Sequence, residues 1–356
     1  MSCSTCYTEL FDRVYVEKGV SGSPYLERAL AGLPGLPVRY LEDRRQIPTA
    51  DLNRRTLFIG RPRGRTVTRC PGSAGHLCCN YLTVDLYLGC TLGCAYCIME
   101  SYLNFSPITV YLQPEGSIAR LQELARANPK RTIRAGTGEV GDSLLLDPLF
   151  GLSEPFIRGL APYPNVFFEL KTKTHFVDHL LDIEEKGNAV IGFSLNPQRL
   201  VEAWEPEASS LGQRLEAAHR VVDAGYRLAF HFDPIFLTGD GQREYLELAA
   251  DLKRFPSDRI AWISLGTMRY TPALKEAIGE KPFLYEEFVA CRDGKFRYLQ
   301  SIRSKVYKSL AAELHRGLRA PVYMCMESPA VWRSVFGRPP GKIEELRAIF
   351  TRVRSV

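Results

Sequence analysis

The chain has 356 residues, and its 46 Lys and Arg against 40 Asp and Glu give a formal net charge of +6. Hydrophobic residues make up 45% of the sequence, which excludes a disordered tail or a disulfide-stapled miniprotein and indicates one large or two ordinary domains. No apolar stretch reaches the roughly 18 residues of a membrane helix, and the first residues lack a secretory signal pattern. We therefore expect a cytoplasmic protein without a membrane partner, whose ten cysteines serve metal or redox chemistry rather than disulfides.

Residues 1–79 are predicted to form an N-terminal extension that is basic and contains cysteine. Residues 52–84 hold six arginines and no Asp, Glu or Lys, a composition that suits a phosphate backbone, although a solvated basic face is an equal alternative. Cys3 and Cys6 have the spacing of half a zinc site, but we favour a plain N-terminal tail there. The extension ends on a group of cysteines, which are Cys70, Cys78 and Cys79.

Residues 80–279 are predicted to form the core of the protein, because strand-like and helix-like segments alternate along them. Strands joined by helices run parallel with right-handed crossovers, so the pattern predicts an α/β fold, namely a partial (β/α)6 barrel. In such barrels the chemistry lies at the C-terminal ends of the strands. The six predicted strands cover residues 81–89, 132–135, 165–171, 189–196, 227–234 and 259–266.

Residues 280–356 are predicted to form a C-terminal extension that is basic and then helical. Residues 295–308 carry five Lys and Arg side chains and no acid, with Phe296, Tyr298 and Tyr307 between them. Such stretches suit phosphates and unstacked bases, so we expect a nucleic acid, and DNA in particular, as a partner. A solvated basic face is again the alternative.

The most specific motif consists of Cys90, Cys94 and Cys97, spaced as CxxxCxxC directly after the first predicted core strand. Iron–sulfur clusters take Cys thiolates, and a four-iron cluster normally takes four of them. Three ligands leave one iron open for a substrate or cofactor, as in catalytic rather than structural metal sites. The alternatives are a zinc loop or three unconnected buried thiols.

At these residues the sequence resembles the radical S-adenosylmethionine superfamily, whose signature is CxxxCx(aromatic)C. Further matches resemble the spore photoproduct lyase family over about residues 50–275. They comprise residues 94–97, 169–181, 193–196, 204–206 and 224–234. The resemblance implies one 4Fe-4S cluster, S-adenosylmethionine that is cleaved to a 5′-deoxyadenosyl radical, and a reductant such as flavodoxin or ferredoxin.

The resemblance also implies roles for individual residues around S-adenosylmethionine. Tyr96 should lie against the adenine, and Lys173 should pair with the methionine carboxylate. Glu139, in the loop after the second strand, should accept the methionine amino group, although an ordinary Gly-rich turn is the alternative for that loop. The implied cofactor contacts are Tyr96, Gly136, Thr137, Glu139, Lys173, Ser194, Asn196 and Asp233.

Two departures from the family concern the return of hydrogen to the substrate. Family members carry a hydrogen-donating cysteine where this chain has Gly136, and a relay tyrosine where it has Ile98. We hypothesise that Cys78, Cys79 or Cys325 takes over as hydrogen donor, or that several of them bind a second metal or cluster. Buried, unreactive thiols are the alternative.

The sequence therefore predicts a lyase-like radical S-adenosylmethionine enzyme that repairs or modifies a DNA base lesion. Arg269 is placed to meet a phosphate or the substrate, although a structural ion pair explains it equally well. One alternative is the same radical chemistry on RNA or a small molecule. Another is a nucleic-acid-binding protein whose iron–sulfur cluster is structural or senses redox state.

Overall fold

The computed structural model describes residues 4–353, and the side chains of residues 7–353. The hypothesised half zinc site at Cys3 and Cys6 lies outside the described side chains. No helix among the described residues is both long enough and apolar enough to cross a membrane.

The strands and helices follow one another along the whole described chain. The strands are β1 (Arg13–Glu17), β2 (Val38–Leu41), β3 (Thr56–Gly60), β4 (Val67–Arg69), β5 (Leu82–Val84), β6 (Tyr87–Leu88), β7 (Ile108–Tyr111), β8 (Ile133–Thr137), β9 (Val166–Thr172), β10 (Ala189–Ser194), β11 (Arg227–Ile235), β12 (Ile260–Thr267), β13 (Arg269–Tyr270), β14 (Phe288–Ala290), β15 (Phe296–Tyr298) and β16 (Val322–Met324). The helices are α1 (Ser4–Leu10), α2 (Pro24–Ala31), α3 (Met99–Tyr102), α4 (Pro114–Ala127), α5 (Asp147–Phe150), α6 (Ser153–Leu160), α7 (Asp178–Leu181), α8 (Gln198–Trp204), α9 (Leu211–Asp223), α10 (Gly241–Asp251), α11 (Pro272–Ile278), α12 (Gln300–His315), α13 (Pro329–Phe336) and α14 (Glu344–Phe350).

The main sheet has eight strands in the order β16-β12-β11-β10-β9-β8-β5-β4. All neighbours run parallel except β4 and β5, which are antiparallel. The two edge strands do not pair with each other, so the barrel is open, and the predicted α/β partial barrel is confirmed. Strand β16 pairs with β12 and thereby brings the region after residue 280 into the same sheet.

The sequence explains why these segments form buried parallel strands. All six residues of β10 are buried, and Val190, Ile191 and Phe193 have no exposed surface. A strand covered on both faces shows such a continuous apolar run rather than alternation. The second helix between β10 and β11, α9, begins with a capping box in which Ser210 Oγ accepts the Gln213 backbone N–H at 3.2 Å.

The first predicted strand, residues 81–89, is wrong as a single element. Strand β5 pairs with β8 in the main sheet, whereas β6 pairs antiparallel with β7 in a second sheet. Between them, the Asp85 backbone N–H donates to the Thr66 carbonyl at 3.1 Å, which extends the pairing of β5 with β4 by one residue before the chain crosses to the second sheet. Alternation of apolar and polar residues is the same in one strand or two, so the pattern did not reveal the crossing between sheets.

Two smaller sheets accompany the main one. The sheet β2-β1-β3-β7-β6 is built largely from residues before the cysteine motif, and its strands are parallel except for β6. The antiparallel sheet β13-β15-β14 follows the last barrel strand. Both sheets therefore leave the C-terminal ends of the barrel strands facing a common space.

Candidate active site

A cavity of about 360 Å³ lies where the barrel strands end. Alternate residues of the parallel strands point into it, as expected for the inner face of a barrel. Its walls also include the loop that carries the CxxxCxxC motif, so both sets of predicted site residues meet in one space. The strand residues concerned are Glu169, Lys171, Lys173, Ser194, His231, Asp233, Ser264, Tyr323 and Cys325.

The three motif cysteines form one wall of this cavity. Cys90, Cys94 and Cys97 are all free and half-buried. Gly89 and Gly93 adopt φ angles of 80° and 63°, which a side chain would strain, and they let the loop turn tightly. Among the described side chains, no three His, Cys, Asp or Glu residues converge closely enough for a single metal ion.

Tyr96 is held in place by a buried polar network. Its hydroxyl donates to Glu205, whose other oxygen accepts from Arg214, and both charged side chains are fully buried. Asn196 Nδ2 also donates to Glu205, at 2.7 Å, and Arg214 donates to the Ser194 carbonyl at 2.8 Å. The network fixes the Tyr96 ring at the cavity wall. Asn196, a predicted cofactor contact, lies in this network and not on the wall itself.

Lys173 differs from the other cationic side chains of the cavity. Its ammonium lies 5.9 Å from the centre of the Tyr96 ring. Lys171 is paired with Glu139, and Arg269 is paired with Asp233, whereas Lys173 makes no ion pair with any described residue. The cavity thus contains a cation that is available to an anionic ligand beside the cysteine loop.

The loop after β8 contributes Glu139 to the cavity wall, in an ion pair with Lys171. Thr137, predicted as a cofactor contact, instead donates to Ser143 Oγ at 2.7 Å and does not line the cavity. Asp142, which sequence reasoning missed, accepts the Lys173 backbone N–H at 2.7 Å. It thereby positions the strand end from which the Lys173 side chain projects.

A second group that sequence reasoning missed forms the floor of the cavity. Glu169 Oε1 lies 2.6 Å from His231 Nε2, and His231 Nδ1 lies 2.6 Å from Ser264 Oγ. A Cβ atom at Gly192 would lie 2.5 Å from Glu169 Oε1, so only glycine leaves room for this pair. Burial acts to raise the pKa of Glu169, but the charge and hydrogen bond of His231, together with the charges of Arg134 and Lys171, lower the pKa to about 2. The sequence signal that could have revealed this group is the presence of polar residues within strands that are otherwise apolar and predicted to be buried.

Asp233 and Arg269 form a two-pronged ion pair at the cavity wall. Arg269 donates to the two carboxylate oxygens at 2.8 and 3.1 Å. A Cβ atom at Gly266 would lie 2.6 Å from the Asp233 carboxyl carbon, so this glycine makes the space for the pair. Although burial acts to raise it, Arg269 lowers the pKa of Asp233. The Arg269 guanidinium, which the sequence analysis placed to meet a phosphate or the substrate, is therefore already paired with a carboxylate of the same chain.

Some of the cysteines outside the motif line the cavity and others do not. Cys79 and Cys325 line it, together with Cys70, but Cys78 does not. The segment before β5 and the turn after β16 are joined by a backbone bond from Leu77 N–H to the Glu327 carbonyl at 3.0 Å. Of the three hypothesised hydrogen donors, two therefore reach the cavity.

Residue 136, where the family's donor cysteine is expected, has no room for any side chain. A Cβ atom there would lie 2.1 Å from the Glu169 carbonyl oxygen and 2.3 Å from the Tyr81 hydroxyl. Ile98, which replaces the family's relay tyrosine, does line the cavity. Of the two departures, Ile98 thus lies on the cavity wall, and Gly136 lies behind it.

A family model described as spore photoproduct lyase matches residues 39–285. The chain belongs to the spore photoproduct lyase family. Among curated members, the spore photoproduct lyase of Geobacillus sp. (strain Y412MC61) is 31% identical over 174 residues, which are 48% of this chain and 50% of that protein. That of Bacillus subtilis (strain 168) is 28% identical over 161 residues, 45% of this chain and 47% of that protein. The chain spans about half the length of these two relatives.

Solved spore photoproduct lyase structures share the fold of this chain. A cysteine-to-alanine variant with dinucleoside spore photoproduct gives a TM-score of 0.76 at 22% identity, covering 88% of this chain and 98% of that one. A double variant with bound AdoMet (S-adenosylmethionine) and dinucleoside spore photoproduct gives a TM-score of 0.76 at 21% identity, again covering 88% and 98%. These likenesses confirm the expected fold of the lyase family.

In the two basic stretches of this lyase-family chain, most cationic side chains are bound to other residues of the same chain. In the second stretch, Arg297 is bound to Asp293 at 2.7 Å and Arg303 to Glu327 at 2.8 Å, and both are buried. Lys295 donates to Ser73 Oγ at 2.9 Å, and the interleaved Tyr298 and Tyr307 are buried too. For these buried side chains the prediction of contacts to phosphates and unstacked bases is wrong, because their charges and rings are used inside the fold. Lys305 and Lys308 of the same stretch are exposed, and for them it stays a prediction.

The arginines of the first basic stretch, residues 52–84, form ion pairs at the protein surface. Arg55 bonds to Asp12 at 2.7 Å, and Arg63 bonds to Asp43 at 2.9 Å. Acids from outside the stretch supply these partners, which a count within residues 52–84 could not reveal. Exposed Arg65 makes no ion pair or hydrogen bond within the described part of the chain and is the arginine of this stretch left for a phosphate.

Proposed function

We propose that this chain is a radical S-adenosylmethionine enzyme that acts on a DNA base lesion of the spore photoproduct class. The observation that carries the proposal is the meeting of three half-buried cysteines, the Tyr96 ring and the unpaired Lys173 ammonium on one cavity. Family membership and the dinucleoside spore photoproduct held by the related solved structures support the choice of lesion.

In this proposal Cys90, Cys94 and Cys97 hold one 4Fe-4S cluster, and the fourth iron is left for S-adenosylmethionine. The cluster would supply the electron that cleaves S-adenosylmethionine, and a flavodoxin or ferredoxin would reduce it in the cytoplasm. The protein's own task is to bind and orient the reacting groups and to exclude water. The cysteines of the loop are half-buried in the cavity wall, which limits their contact with water.

The residues proposed to hold S-adenosylmethionine lie next to the cysteine loop. Lys173 would pair with the carboxylate, the Tyr96 ring would support the adenine, and Glu139 would accept the amino group once it is released from Lys171. Ser194 and Asp233 complete the polar wall. Gly136, Thr137 and Asn196 would act indirectly in this arrangement, because their side-chain positions lie behind the wall.

Replacement of Lys173 by glutamine should weaken S-adenosylmethionine binding about 10- to 150-fold. A hydrogen bond to a charged group contributes roughly 1.5–3 kcal/mol, which corresponds to that range. The dissociation constant can be measured by equilibrium dialysis on reconstituted protein. Lys253→Gln, which removes a cation paired with Glu313 outside the cavity, should leave the constant at the wild-type value; equal weakening by both variants would refute the role of Lys173.

Deuterium transfer tests the function itself. The reduced, anaerobic protein is given S-adenosylmethionine and dinucleoside spore photoproduct that is deuterated at C6 of its dihydrothymine ring, because a radical at that carbon is the one that breaks the neighbouring bond to the methylene bridge. Under the proposal, 5′-deoxyadenosine acquires deuterium while the lesion is consumed. Unlabelled 5′-deoxyadenosine with an intact lesion would point to an RNA or small-molecule substrate, and no 5′-deoxyadenosine from protein with an intact cluster would support a structural or redox-sensing cluster.

A second metal or cluster at Cys70, Cys78, Cys79 and Cys325 can be tested separately by iron and sulfide analysis. About four irons per chain would contradict a second cluster, and about eight would support it. Cys78 contacts Cys70 and Cys79 but not the cavity. The thiols left as hydrogen donors are therefore Cys79 and Cys325.

A further inference from the structure

An arginine-rich surface adjoins the cavity at Phe105. Phe105 lines the cavity, and the Arg44 guanidinium lies 4.8 Å from the centre of its ring. Arg44 makes no ion pair and no side-chain hydrogen bond with any described residue. The contact with the ring covers one face of the guanidinium and leaves the N–H groups on its edge unused. A cation that can bind an anion therefore lies at the border of the cavity.

The turn that carries Arg44 has a fixed backbone. The Asp43 carboxylate accepts the Arg45 backbone N–H at 2.8 Å, and Gln46 Oε1 accepts the Asp43 backbone N–H at 3.3 Å, which together form a capping box. Ile47, directly after the turn, is buried. Because the turn is already ordered, an anion that binds Arg44 does not have to order the chain that carries it.

Arg63 extends this surface beyond the turn. Its Nη2 atom donates to Asp43 at 2.9 Å and to Glu17 at 3.3 Å. The Nε and Nη1 atoms of Arg63 have no hydrogen-bond partner among the described residues, and its side chain is 45% exposed. Two residues further along the chain, Arg65 is exposed and unpaired within the same described range. We call Arg44, Arg63 and Arg65 the arginine row.

The surface around the arginine row has a positive charge in spite of its ion pairs. Glu17 is 2% exposed and lies beneath the arginines, and the neighbouring Glu42 is paired with Lys18 at 2.6 Å. Ion pairs that are exposed to water contribute little to stability, so a phosphate can share these arginines with their carboxylates. Among the described residues, the surface groups five arginines with two carboxylates, namely Arg44, Arg45, Arg61, Arg63 and Arg65 with Glu17 and Asp43.

We propose that the arginine row binds backbone phosphates of the DNA strand that carries the lesion, next to the nucleotides in the cavity. The inference rests on the proposed function, because a lesion in the cavity is what brings the flanking phosphates to this surface. Each strand of DNA carries one phosphate about every 3.4 Å, which a row of cations complements. The guanidinium fork also matches two phosphate oxygens at once.

The double variant Arg44→Gln, Arg65→Gln tests the row, because neither arginine has an ion pair within the described chain whose loss would unfold the protein. The quantity measured is the dissociation constant for duplex DNA with a central spore photoproduct lesion, by fluorescence anisotropy at KCl concentrations from about 50 to 200 mM. Each phosphate contact contributes about 0.9 to the slope of log Kd against log salt concentration. We expect the slope of the double variant to fall by about 1.8, and its melting temperature to equal that of the wild type.

Arg158→Gln, Arg254→Gln is the matched control, since it also removes two exposed arginines. Arg158 pairs with Glu154 and Arg254 with Asp251, each at 2.8 Å. They precede the starts of β9 and β12, at the end of the barrel opposite the cavity. The control should keep the wild-type slope. A wild-type slope in the row variant, or an equal fall in the control, would overturn the inference, and so would a fall for RNA of the same sequence but not for DNA.

The binding measurement uses neither S-adenosylmethionine nor a reductant, so its outcome is separate from that of the proposed function. If the wild-type protein leaves dinucleoside spore photoproduct intact in the deuterium experiment, the proposed function fails whatever the salt slope is. If the wild-type protein consumes the dinucleoside lesion while the row variant binds the duplex with the wild-type slope, the proposed function stands and the arginine row is not a DNA contact.

Discussion

Cys94→Ala should reduce the formation of 5′-deoxyadenosine below detection. The cysteine loop supplies three thiols to one cavity wall, and a cluster already short of a fourth protein ligand has no replacement for a lost one in that loop. We therefore expect the variant to lose iron as well as activity. Product is measured by chromatography after anaerobic reduction with S-adenosylmethionine, and iron is measured on the same reconstituted sample.

Cys291→Ala is the control for loss of a thiol as such. Cys291 follows the outer strand β14, and its sulfur lies 3.7 Å from the Val289 carbonyl, away from the cavity. This variant should retain both iron and product. If Cys94→Ala kept the wild-type iron content and still made 5′-deoxyadenosine, Cys94 would not be a cluster ligand.

Arg214→Met should lower the free energy of unfolding by about 3–5 kcal/mol, because it leaves the fully buried Glu205 carboxylate without its cation. The change is measured as a lower urea midpoint at neutral pH. Glu205 also accepts from Tyr96 and Asn196, so the Tyr96 ring should lose its fixed position. We accordingly expect weaker S-adenosylmethionine binding in the fraction that remains folded.

Two further variants test whether the loss of stability in Arg214→Met comes from the unpaired buried carboxylate or from the loss of an arginine as such. The double variant Arg214→Met, Glu205→Gln removes both charges and should recover much of the stability, since an uncompensated buried ion is the costly species. Arg243→Met removes an exposed arginine that pairs with Asp240 and Glu247, and it should unfold at the wild-type midpoint. A wild-type midpoint for Arg214→Met would contradict the role assigned to the buried pair.

The sequence predicted the barrel well where the signal is local. Strands β8 to β12 lie within two residues of their predicted bounds, because continuous apolar runs between helical segments have few other interpretations. The spacing of the cysteine loop likewise predicted that its three thiols lie together, and they do form one wall of the cavity. Strand β16 was missed because its three residues, Val322 to Met324, carry little pattern of their own and become a strand only by pairing with β12.

The parts of the site that escaped prediction depend on partners distant in sequence. The sequence around Glu205 and Arg214 does not show that the two side chains pair, because only the fold brings them together and buries both. Arg297 and Arg303 belonged to an apparently free basic stretch, but their acids, Asp293 and Glu327, lie outside its limits. Charge counts along a sequence cannot show which charges meet, so they overestimated the surface available to DNA.

The bond between Leu77 and Glu327 has a consequence for how the site assembles. It joins segments that are 327 − 77 = 250 residues apart and brings Cys79 and Cys325 to one cavity. Contacts between such distant residues form slowly, because the loop-closure entropy must be overcome before they stabilise the chain. The cavity should therefore close late in folding, after the whole chain is available, and a fragment limited to residues 80–279 would leave one side of it open to solvent.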